Sequence, residues 1–459
     1  EWSVTNRFRY ADQSARNTTL VVSAAAPAGL FATRFGGAGA TFRYAAGPNA
    51  GQAFGASSGN GLAGLAFYSD TFAPDVSNMT NDLRLSRVWN VAGGNLTTTT
   101  GVYRASQKFV SEIGFAAFFQ DTVGGGRSAP LNLFTAAGTP VTENGYRNYG
   151  GPGVPGNSRR HDVTYEITAP FASVNFQKGK IALGASLRWD NNRASGNMMN
   201  DGAVRQFDMN NDGVISPPET LVAAIPVGVS LPVDYSHDYL SYSGSVNYRV
   251  AESLSMFARY SRGGRAAADK ILFTPAVSRA TGELLNSRDG DDAVRQAEIG
   301  VKYRAGGVAL NLTGFHARTQ DTNAQIASNP ATGQLELVKV SRDYEAHGLE
   351  FEGSFRRGPF SVAAHATYTD AEITGAENPA IEGNTPRNQP KLIYGITPQF
   401  DNDTFTLGAN IIGVTGSFSQ DINVLRMPAY TTVGLFAQIR PMERVELGLN
   451  ATNLLNERA

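Results

Sequence analysis

The chain has 459 residues, with 50 glycines and no cysteine, and its 39 Lys and Arg balance 40 Asp and Glu to a formal net charge of −1. The lack of cysteine excludes disulfides, thiol nucleophiles and cysteine-based zinc sites, and the balanced charge gives no electrostatic reason to expect nucleic acid as a partner. No apolar run reaches the roughly 18–20 residues of a transmembrane helix, so a bundle of such helices is excluded. A soluble enzyme and a transmembrane β-barrel both fit this composition, because a barrel wall is apolar on only one face.

Apolar and polar residues alternate in many segments of the chain. In residues 181–190, the side chains of Ile181, Leu183 and Leu187 fall on one face of an extended chain. The same period of two occurs in 240–250, 254–261, 297–303, 308–313, 360–369, 404–411, 433–440 and 445–451. Successive side chains of a strand point to opposite faces, so these segments predict strands with one apolar and one polar face. Helical spacing is nowhere sustained over about ten residues, which favours an all-β fold.

The connections between the predicted strands are of two kinds, and the pattern predicts about fifteen strands. One set is short: Ala92–Asn95, Lys178–Lys180, Ala251–Ser253, Ala305–Gly307, Arg357–Pro359, Asp401–Asp403 and Arg440–Glu443. The alternate set is long, at about 13–78, 112–160, 191–235, 264–290, 325–335, 374–388 and 417–427. Tight turns at one end and long extracellular loops at the other are typical of an up-and-down antiparallel barrel in an outer membrane.

A secreted β-sandwich or adhesin would show the same alternation of residues, but it would not explain why long and short connections alternate. In a membrane each open sheet edge leaves backbone groups unpaired, and single-chain bacterial barrels have even strand numbers. An odd number near fifteen therefore predicts that residues 1–459 form one barrel domain from which part of the wall is absent.

Six segments share their order and spacing with one family. They are M-F-A-R-Y-S-R-G-G-R-A at 256–266, A-E-I-G-V-K-Y-R at 297–304, G-L-E-F-E-G at 348–353, A-T-Y-T-D-A-E at 366–372, G-N-T-P-R-N-Q-P at 383–390 and L-G-L-N-A-T-N-L-L-N at 447–456. With these segments the chain resembles the TonB-dependent outer-membrane receptors, which are active importers of Gram-negative bacteria. The resemblance extends from about residue 161 to the end and more weakly back to residue 1.

The resemblance implies a bacterial outer-membrane protein surrounded by outer-membrane lipid, with a barrel of roughly 22 strands. The N-terminal plug of that family, its energy-coupling box and its closing strand are not found in the chain. We therefore expect residues 1–459 to be the later two-thirds of the wall, and we expect the TonB complex to act through a plug absent from this chain. In the family, the ligand binds between the extracellular loops and the plug.

The segment D-M-N-N-D-G-V-I-S-P-P-E at 208–219 matches all twelve positions of a calcium-binding EF-hand loop. Oxygen ligands would come from Asp208, Asn210, Asp212, Val214, Ser216 and Glu219, with Gly213 at the sharp turn and Glu219 bidentate. Pro217 and Pro218 interrupt the exiting segment, so we expect a Ca²⁺ loop without a helix pair. Its predicted role is structural, within a long extracellular loop. The alternative is a turn-rich surface loop that binds nothing.

Strings that look catalytic lack the structural setting that their chemistry needs. G-A-S-S-G at 55–59 lies in a Gly- and Ala-rich loop with no strand-to-helix elbow, and G-P-G-V-P-G at 151–156 is interrupted by proline and followed by no helix. The five histidines are dispersed and form no His-x-x-x-His pair. The sequence therefore predicts no enzyme.

The first two long loops contain many aromatic residues among small ones, including Phe31, Phe42, Phe54 and Phe119. These rings could form a vestibule that stacks on a sugar or a chelate ring, or they could pack on one another over the barrel mouth. Since these loops carry little charge, the sequence slightly favours a neutral ligand.

The main functional prediction is an energy-coupled receptor that imports a scarce, bulky nutrient, either a carbohydrate-like solute or a ferric siderophore. Its expected ligand is therefore an oligosaccharide or a small molecule. A passive porin and a non-transport surface protein remain the alternatives.

Overall fold

The computed structural model describes residues 1–123, 127–148, 159–200, 203–206, 208, 212–224, 230–266, 276–328 and 335–457. Almost all of its regular structure is β-strand. The strands are β1 (Trp2–Ala11), β2 (Ala15–Pro27), β3 (Thr41–Tyr44), β4 (Ala53–Phe54), β5 (Leu62–Asp75), β6 (Asn78–Val91), β7 (Gly94–Asp121), β8 (Leu131–Phe134), β9 (Tyr146–Asn148), β10 (Arg159–Lys178), β11 (Ile181–Asn200), β12 (Ala203–Arg205), β13 (Val222–Ala224), β14 (Leu231–Ala251), β15 (Leu254–Ala266), β16 (Asp291–Ala305), β17 (Val308–Ser328), β18 (Leu335–Arg357), β19 (Phe360–Ala376), β20 (Leu392–Asp401), β21 (Phe405–Val414), β22 (Ser417–Phe418), β23 (Arg426–Met427), β24 (Tyr430–Met442) and β25 (Val445–Ala451).

Helices are few and short in the described part of the chain. They are α1 (Ala28–Gly36) and three 3₁₀ turns at Pro217–Leu221, Ser287–Gly290 and Pro379–Ile381. None of these helices is long and apolar enough to cross a membrane.

One antiparallel sheet forms the wall of the molecule. Within the described ranges this sheet has 18 strand segments. Segments β1 and β2 lie end to end and form one wall strand, and β5 and β6 do the same. The sheet therefore consists of fifteen consecutive wall strands and the short edge segment β9. Each wall strand pairs with the next one along the chain, from β7 with β10 to β24 with β25. The predicted all-β, up-and-down antiparallel fold of about fifteen strands is therefore confirmed.

Seven tight connections, among those described, join wall strands at one end of the sheet, and they fall where the sequence predicts short turns. Between β16 and β17, for example, Gly306 and Gly307 have φ values of +57° and +81°. A two-residue hairpin turn of type I′ requires left-handed values at both positions, and glycine adopts them without steric cost. These turns set the register of each hairpin.

The first three long connections at the other end are shorter than the sequence predicts, whereas the loops predicted at 374–388 and 417–427 correspond to the intervals 377–391 and 415–429 between wall strands. The predicted loop 13–78 contains β2 and β5, and the predicted loops 112–160 and 191–235 begin inside β7 and β11. The outer face of these extensions is charged instead of apolar, with ion pairs between Arg160 and Glu112 at 2.8 Å and between Lys108 and Asp162. Cross-strand ion pairs and the backbone ladder continue the strands where the apolar alternation ends.

The outer face carries an apolar band next to the tight turns. On β11, Ile181, Leu183, Leu187 and Trp189 are all exposed on this face. Ile181–Trp189 is about 26 Å long at roughly 3.3 Å per residue. This length is close to that of the roughly 9–11 residues with which a tilted strand crosses a bilayer. Beyond Trp189, residues on the same face are polar, beginning with Asn191 and Arg193. The strands therefore extend well beyond the band.

The position of this band can be tested with two arginine substitutions on the same face of β11. We expect Ala185→Arg, at the centre of the band, to destabilise the barrel in lipid vesicles by about 2–4 kcal/mol, because it moves a charge into hydrocarbon. Ser195→Arg, beyond the band, should cost less than about 1 kcal/mol. Urea unfolding of both variants measures the difference, and equal losses would contradict this placement.

Candidate functional site

The lumen face of the wall holds arginine–carboxylate pairs at fixed positions. Arg188 Nε and Nη2 donate to the Asp190 carboxylate over 2.7–3.0 Å, and Asp190 is only 2% exposed. The two residues are two apart on one strand, so they project from the same face. Arg84 donates in the same way to Asp82, its Nε being 2.9 Å from Oδ1. The alternation in residues 181–190 predicts that Arg188 and Asp190 face the lumen, where they would contact a plug, water or a passing ligand, with wall-to-plug hydrogen bonds favoured. The structure pairs the two residues with each other.

Aromatic rings hold these guanidinium groups in place. Arg188 Cζ lies 5.0 Å from the centre of the Tyr103 ring, and Arg84 Cζ lies 5.6 Å from that of Phe171. In both arginines the bonds to carboxylate use Nε and Nη2. The Nη1 groups are thus available as donors to an oxygen ligand in the lumen.

A lumen cavity of about 540 Å³ surrounds these groups. Its lining includes Arg84, Arg188 and Arg259, together with hydroxyl groups such as those of Ser186 and Ser243. Arg259 Nη1 lies 3.9 Å from Glu298 Oε2, an ion pair that is longer than the hydrogen-bonded pairs of Arg84 and Arg188. Cationic donors and hydroxyls around one cavity provide the chemistry that binds anionic oxygen ligands.

The aromatic residues of the first two long loops are largely turned towards one another. Phe31, Phe35, Phe42, Phe54 and Phe119 are all buried, in a cluster closed by Leu131 and Leu133. The Phe119 ring lies 5.3 Å from both Phe35 and Phe42. Helix α1 and strands β3, β4 and β8 thus form a compact cap with its own core on β5 and β7. For these rings the packing alternative is confirmed.

Part of the predicted calcium loop is described, and Asn210 lies outside the described residues. The Asp208 carboxylate accepts hydrogen bonds from the backbone N–H groups of Asp212 (3.3 Å) and Gly213 (2.8 Å), and Asp212 accepts one from Val214 N–H (2.7 Å). Gly213 has φ +82°, so the chain makes the sharp turn that the motif requires at this position.

The far end of the loop is a capped turn. Glu219 is 1% exposed, and its carboxylate accepts from Ser216 N–H at 2.9 Å and from Ser216 Oγ at 3.1 Å, forming the cap of the 3₁₀ turn Pro217–Leu221. Ser216 Oγ also bonds the Glu143 carboxylate, which belongs to the preceding long loop. Over the part of the chain that is described, no three His, Cys, Asp or Glu side chains are grouped to hold a metal ion. The ligand set, which includes Val214 and Asn210, stays a prediction.

Three of the five histidines lie in separate side-chain contacts that the sequence did not reveal. His237 Nε2 is 2.6 Å from Asp291 Oδ1, His316 Nε2 is 2.7 Å from Glu345 Oε1, and His161 Nδ1 is 3.0 Å from Ser111 Oγ. The partners are 29–54 residues apart in sequence. Residues 55–59 form turns between β4 and β5, and 151–156 lie outside the described residues.

Comparison with known families identifies the chain. The family model for the TonB dependent receptor-like β-barrel matches residues 2–454. The chain belongs to the TonB-dependent receptors. It is therefore part of an outer-membrane β-barrel protein, in a family of transport receptors and not of enzymes.

Three similar proteins place this receptor among its relatives. Metal-pseudopaline receptor CntO of Pseudomonas aeruginosa is 30% identical over 173 residues, 36% of this chain and 24% of that protein. Probable TonB-dependent siderophore receptor PiuA of Acinetobacter baumannii is 22% identical over 317 residues, 65% of this chain and 38% of that protein. The crystal structure of the ferric-catecholate import receptor Fiu of E. coli K12 has a TM-score of 0.52 at 12% identity, covering 99% of this chain and 68% of that one. The match to Fiu supports the fold, and the matched parts of the two curated relatives are well under half of their lengths.

The Asp190 carboxylate is buried, whereas the Arg188 side chain that pairs with it is 37% exposed, and this pair yields a stability prediction. We expect Arg188→Leu to destabilise the barrel by about 1–3 kcal/mol, because it leaves a buried hydrogen-bond acceptor without its donor. The control is Arg16→Leu, which removes the exposed partner of Asp70 (68% and 31% exposed) and should cost less than about 1 kcal/mol. The double variant Arg188→Leu/Asp190→Leu should recover most of the loss in urea unfolding. If Arg188→Leu and Arg16→Leu lower the free energy of unfolding equally, the pair of Arg188 and Asp190 stabilises the barrel no more than an exposed ion pair does.

Proposed function

We propose that this receptor imports a bulky metal–chelate complex of the siderophore type across the outer membrane, with energy supplied through TonB. The observation that carries the proposal is the lumen cavity lined by Arg84, Arg188 and Arg259, each of which forms an ion pair with a wall carboxylate. Metal chelates present anionic oxygens at their surface, which such donors bind. The names of the two curated relatives, a metal-pseudopaline receptor and a probable siderophore receptor, point to the same class of ligand.

The slight preference for a neutral, carbohydrate-like solute has lost its main support. It depended on the first two loops being aromatic and carrying little charge, and five of their aromatic rings are buried against one another in the cap core. An anionic chelate fits the charged groups of the lumen better than an oligosaccharide does.

Energy coupling separates this function from that of a passive porin. Deletion of the gene should abolish uptake of a radiolabelled ferric chelate by the host bacterium, and a plasmid copy should restore it. Uptake should also stop in a strain that lacks TonB, since a coupled importer cannot complete its cycle without TonB. Uptake that continues without TonB would favour a porin. If the bacterium still takes up and binds the chelate after the gene is deleted, the receptor function is rejected.

An arginine variant tests the part of the proposal that concerns the lumen. We expect Arg84→Gln to weaken binding of an anionic ferric chelate about tenfold, the loss that corresponds to about 1.4 kcal/mol or one charge-assisted hydrogen bond. Arg304→Gln, at the tight-turn end of β16, is the matched control. Equal affinity in both variants would remove Arg84 from the site.

We also propose that residues 208–219 bind a structural Ca²⁺ ion. The twelve-position donor pattern supports this, as does the turn in which Asp208 receives two backbone N–H groups. The link from Ser216 to Glu143 would let the ion stabilise two long loops together.

Calcium binding can be measured by thermal unfolding in detergent. One millimolar Ca²⁺ should raise the melting temperature by a few degrees over EDTA, because an ion that binds the folded state stabilises it by mass action. Glu219→Gln should lose this shift while keeping the turn capped, since glutamine can fill the same capping position. The control is Glu283→Gln, an exposed carboxylate of another loop. A wild-type protein that melts at the same temperature in both buffers would reject the site.

A further inference from the structure

Three arginines lie side by side on the outer face of the wall and form an arginine row. Strand register places Arg262 of β15 directly opposite Arg295 of β16, and Arg295 directly opposite Arg318 of β17. Along their strands, Arg295 and Arg318 are an even number of residues from Ile299 and Leu312, which are exposed apolar residues of the outer face. Directly opposite residues have Cβ atoms about 5 Å apart, so three like charges stand next to one another.

The arginine row lies where the apolar part of these strands ends. Tyr260 is the next outward residue of β15 on the side of the tight turns, and its ring lies 6.2 Å from that of Tyr242, which is opposite Arg262. Both tyrosines are exposed on the outer face. Exposed tyrosine rings are enriched at the boundary between hydrocarbon and lipid headgroups. The row is therefore at the headgroup level of the leaflet on the side of the long loops, which we call the outer leaflet.

The protein balances the charge of the row only in part. Arg318 Nη2 lies 3.0 Å from Glu345 Oε2, so this arginine has a carboxylate partner. Within the described ranges, Arg262 and Arg295 form no ion pair with any carboxylate. Like charges directly opposite each other destabilise a sheet, and an anion placed between them relieves the repulsion. The two arginines thus provide a site for an anion from outside the chain.

Outward-facing arginines of other strands are paired within the protein. On β10, Arg160 lies 2.8 Å from the Glu112 carboxylate, and on β11, Arg193 lies 3.4 Å from that of Asp234. A position beyond the apolar band is therefore not enough to leave an arginine unbalanced, and the excess positive charge belongs to β15 and β16.

A cleft of about 400 Å³ opens on the outer face beside Arg295 and Arg318. Its outward-facing lining also includes Gln320, Asp343 and Glu345. An amide and two carboxylates form hydrogen bonds with hydroxyl groups, whereas the carboxylates repel a phosphate. The cleft thus suits a sugar ring, and the neighbouring arginines suit a phosphate attached to that ring.

On the side of the tight turns, the outer face offers a furrow for a hydrocarbon chain. Gly314 of β17 lies directly opposite Ile299 and Leu349, whose side chains are 62% and 52% exposed. A Cβ atom on Gly314 would lie 3.6 Å from Leu349 Cδ2 and 3.9 Å from Ile299 Cγ2. Because glycine has no side chain, the two apolar side chains stand on either side of an open strip of backbone.

We propose that the arginine row and the cleft bind a phosphorylated glycolipid of the outer leaflet. Its phosphate lies between Arg262 and Arg295, its sugar ring occupies the cleft, and one acyl chain follows the furrow at Gly314. A free phosphate would leave both the cleft and the furrow unused. The inference concerns the outer face, so it goes beyond the import function and holds whichever ligand the receptor imports.

The test uses the detergent-purified receptor and lipid A, a phosphorylated and acylated glucosamine disaccharide, with binding measured by native mass spectrometry. Arg262→Gln and Arg295→Gln should each weaken binding of lipid A about tenfold, because each removes a charged donor to the phosphate. Arg160→Gln is the matched control, since it removes an outward-facing arginine that already has a carboxylate partner, and it should bind lipid A as the wild type does. Unchanged affinity in both row variants would overturn the site.

Three further probes identify the parts of the lipid that are recognised. Dephosphorylated lipid A should bind more weakly than lipid A, and equally to wild type and Arg295→Gln. Phosphatidylglycerol, which has a phosphate but no sugar ring, should also bind more weakly, and equal affinity for the two lipids would overturn the assignment of the cleft. Inorganic phosphate in large excess should not displace lipid A, and full displacement would reduce the site to one for small anions and overturn the lipid proposal.

Thermal unfolding in detergent without lipid separates binding from folding. The melting temperatures of Arg262→Gln and Arg295→Gln should equal or exceed that of the wild type, because each variant removes a repulsion between neighbouring charges. A marked drop in both variants that is absent in Arg160→Gln would assign the row to internal packing and overturn the lipid site.

Discussion

Hydrocarbon offers no hydrogen-bond partner, so every backbone N–H and C=O group inside the apolar band must be paired with a neighbouring strand. This requirement governs the rest of the structure. It makes each wall strand long, binds it to the next one along the chain, and admits only the register in which apolar side chains face lipid. Once the register is set, the identity of the lumen residues that lie side by side is set as well. Tyr165 lies beside Ala194, and Asn192 beside His237, because β10, β11 and β14 pair in that register.

Outside the bilayer the same ladder is supported by other interactions. The outer face changes from apolar side chains to ion pairs such as Arg160 with Glu112, and the strands continue into the loop region without lipid around them. There the first two long loops fold against β5 and β7 around a phenylalanine core. This packing buries Phe31, Phe35, Phe42, Phe54 and Phe119 in the core of the cap.

Several features were predictable because they depend on residues close in sequence. Alternation with a period of two predicts the strands, and the glycine pair at Gly306 and Gly307 predicts a tight turn. Arg188 and Asp190 are two apart on one strand, so their common face follows from the alternation itself. The loop bounds were less accurate, because the predicted strands were bounded by apolar alternation. Apolar alternation marks only the part of a strand that contacts lipid. On β11 it ends near Trp189, whereas the strand continues to Asn200.

The sequence by itself determined the all-β class, the order of the strands, the position of their tight turns and the likeness to one receptor family. All of these depend on patterns of residues that are close in sequence. Only the tertiary structure decided which side chains of different strands and loops lie next to one another. His237 meets Asp291 across 54 residues, and Asn192 is left with an unpaired acceptor. The physical reason is that these contacts depend on strand register and on the packing of distant loops, and a single strand carries no record of its neighbour's side chains.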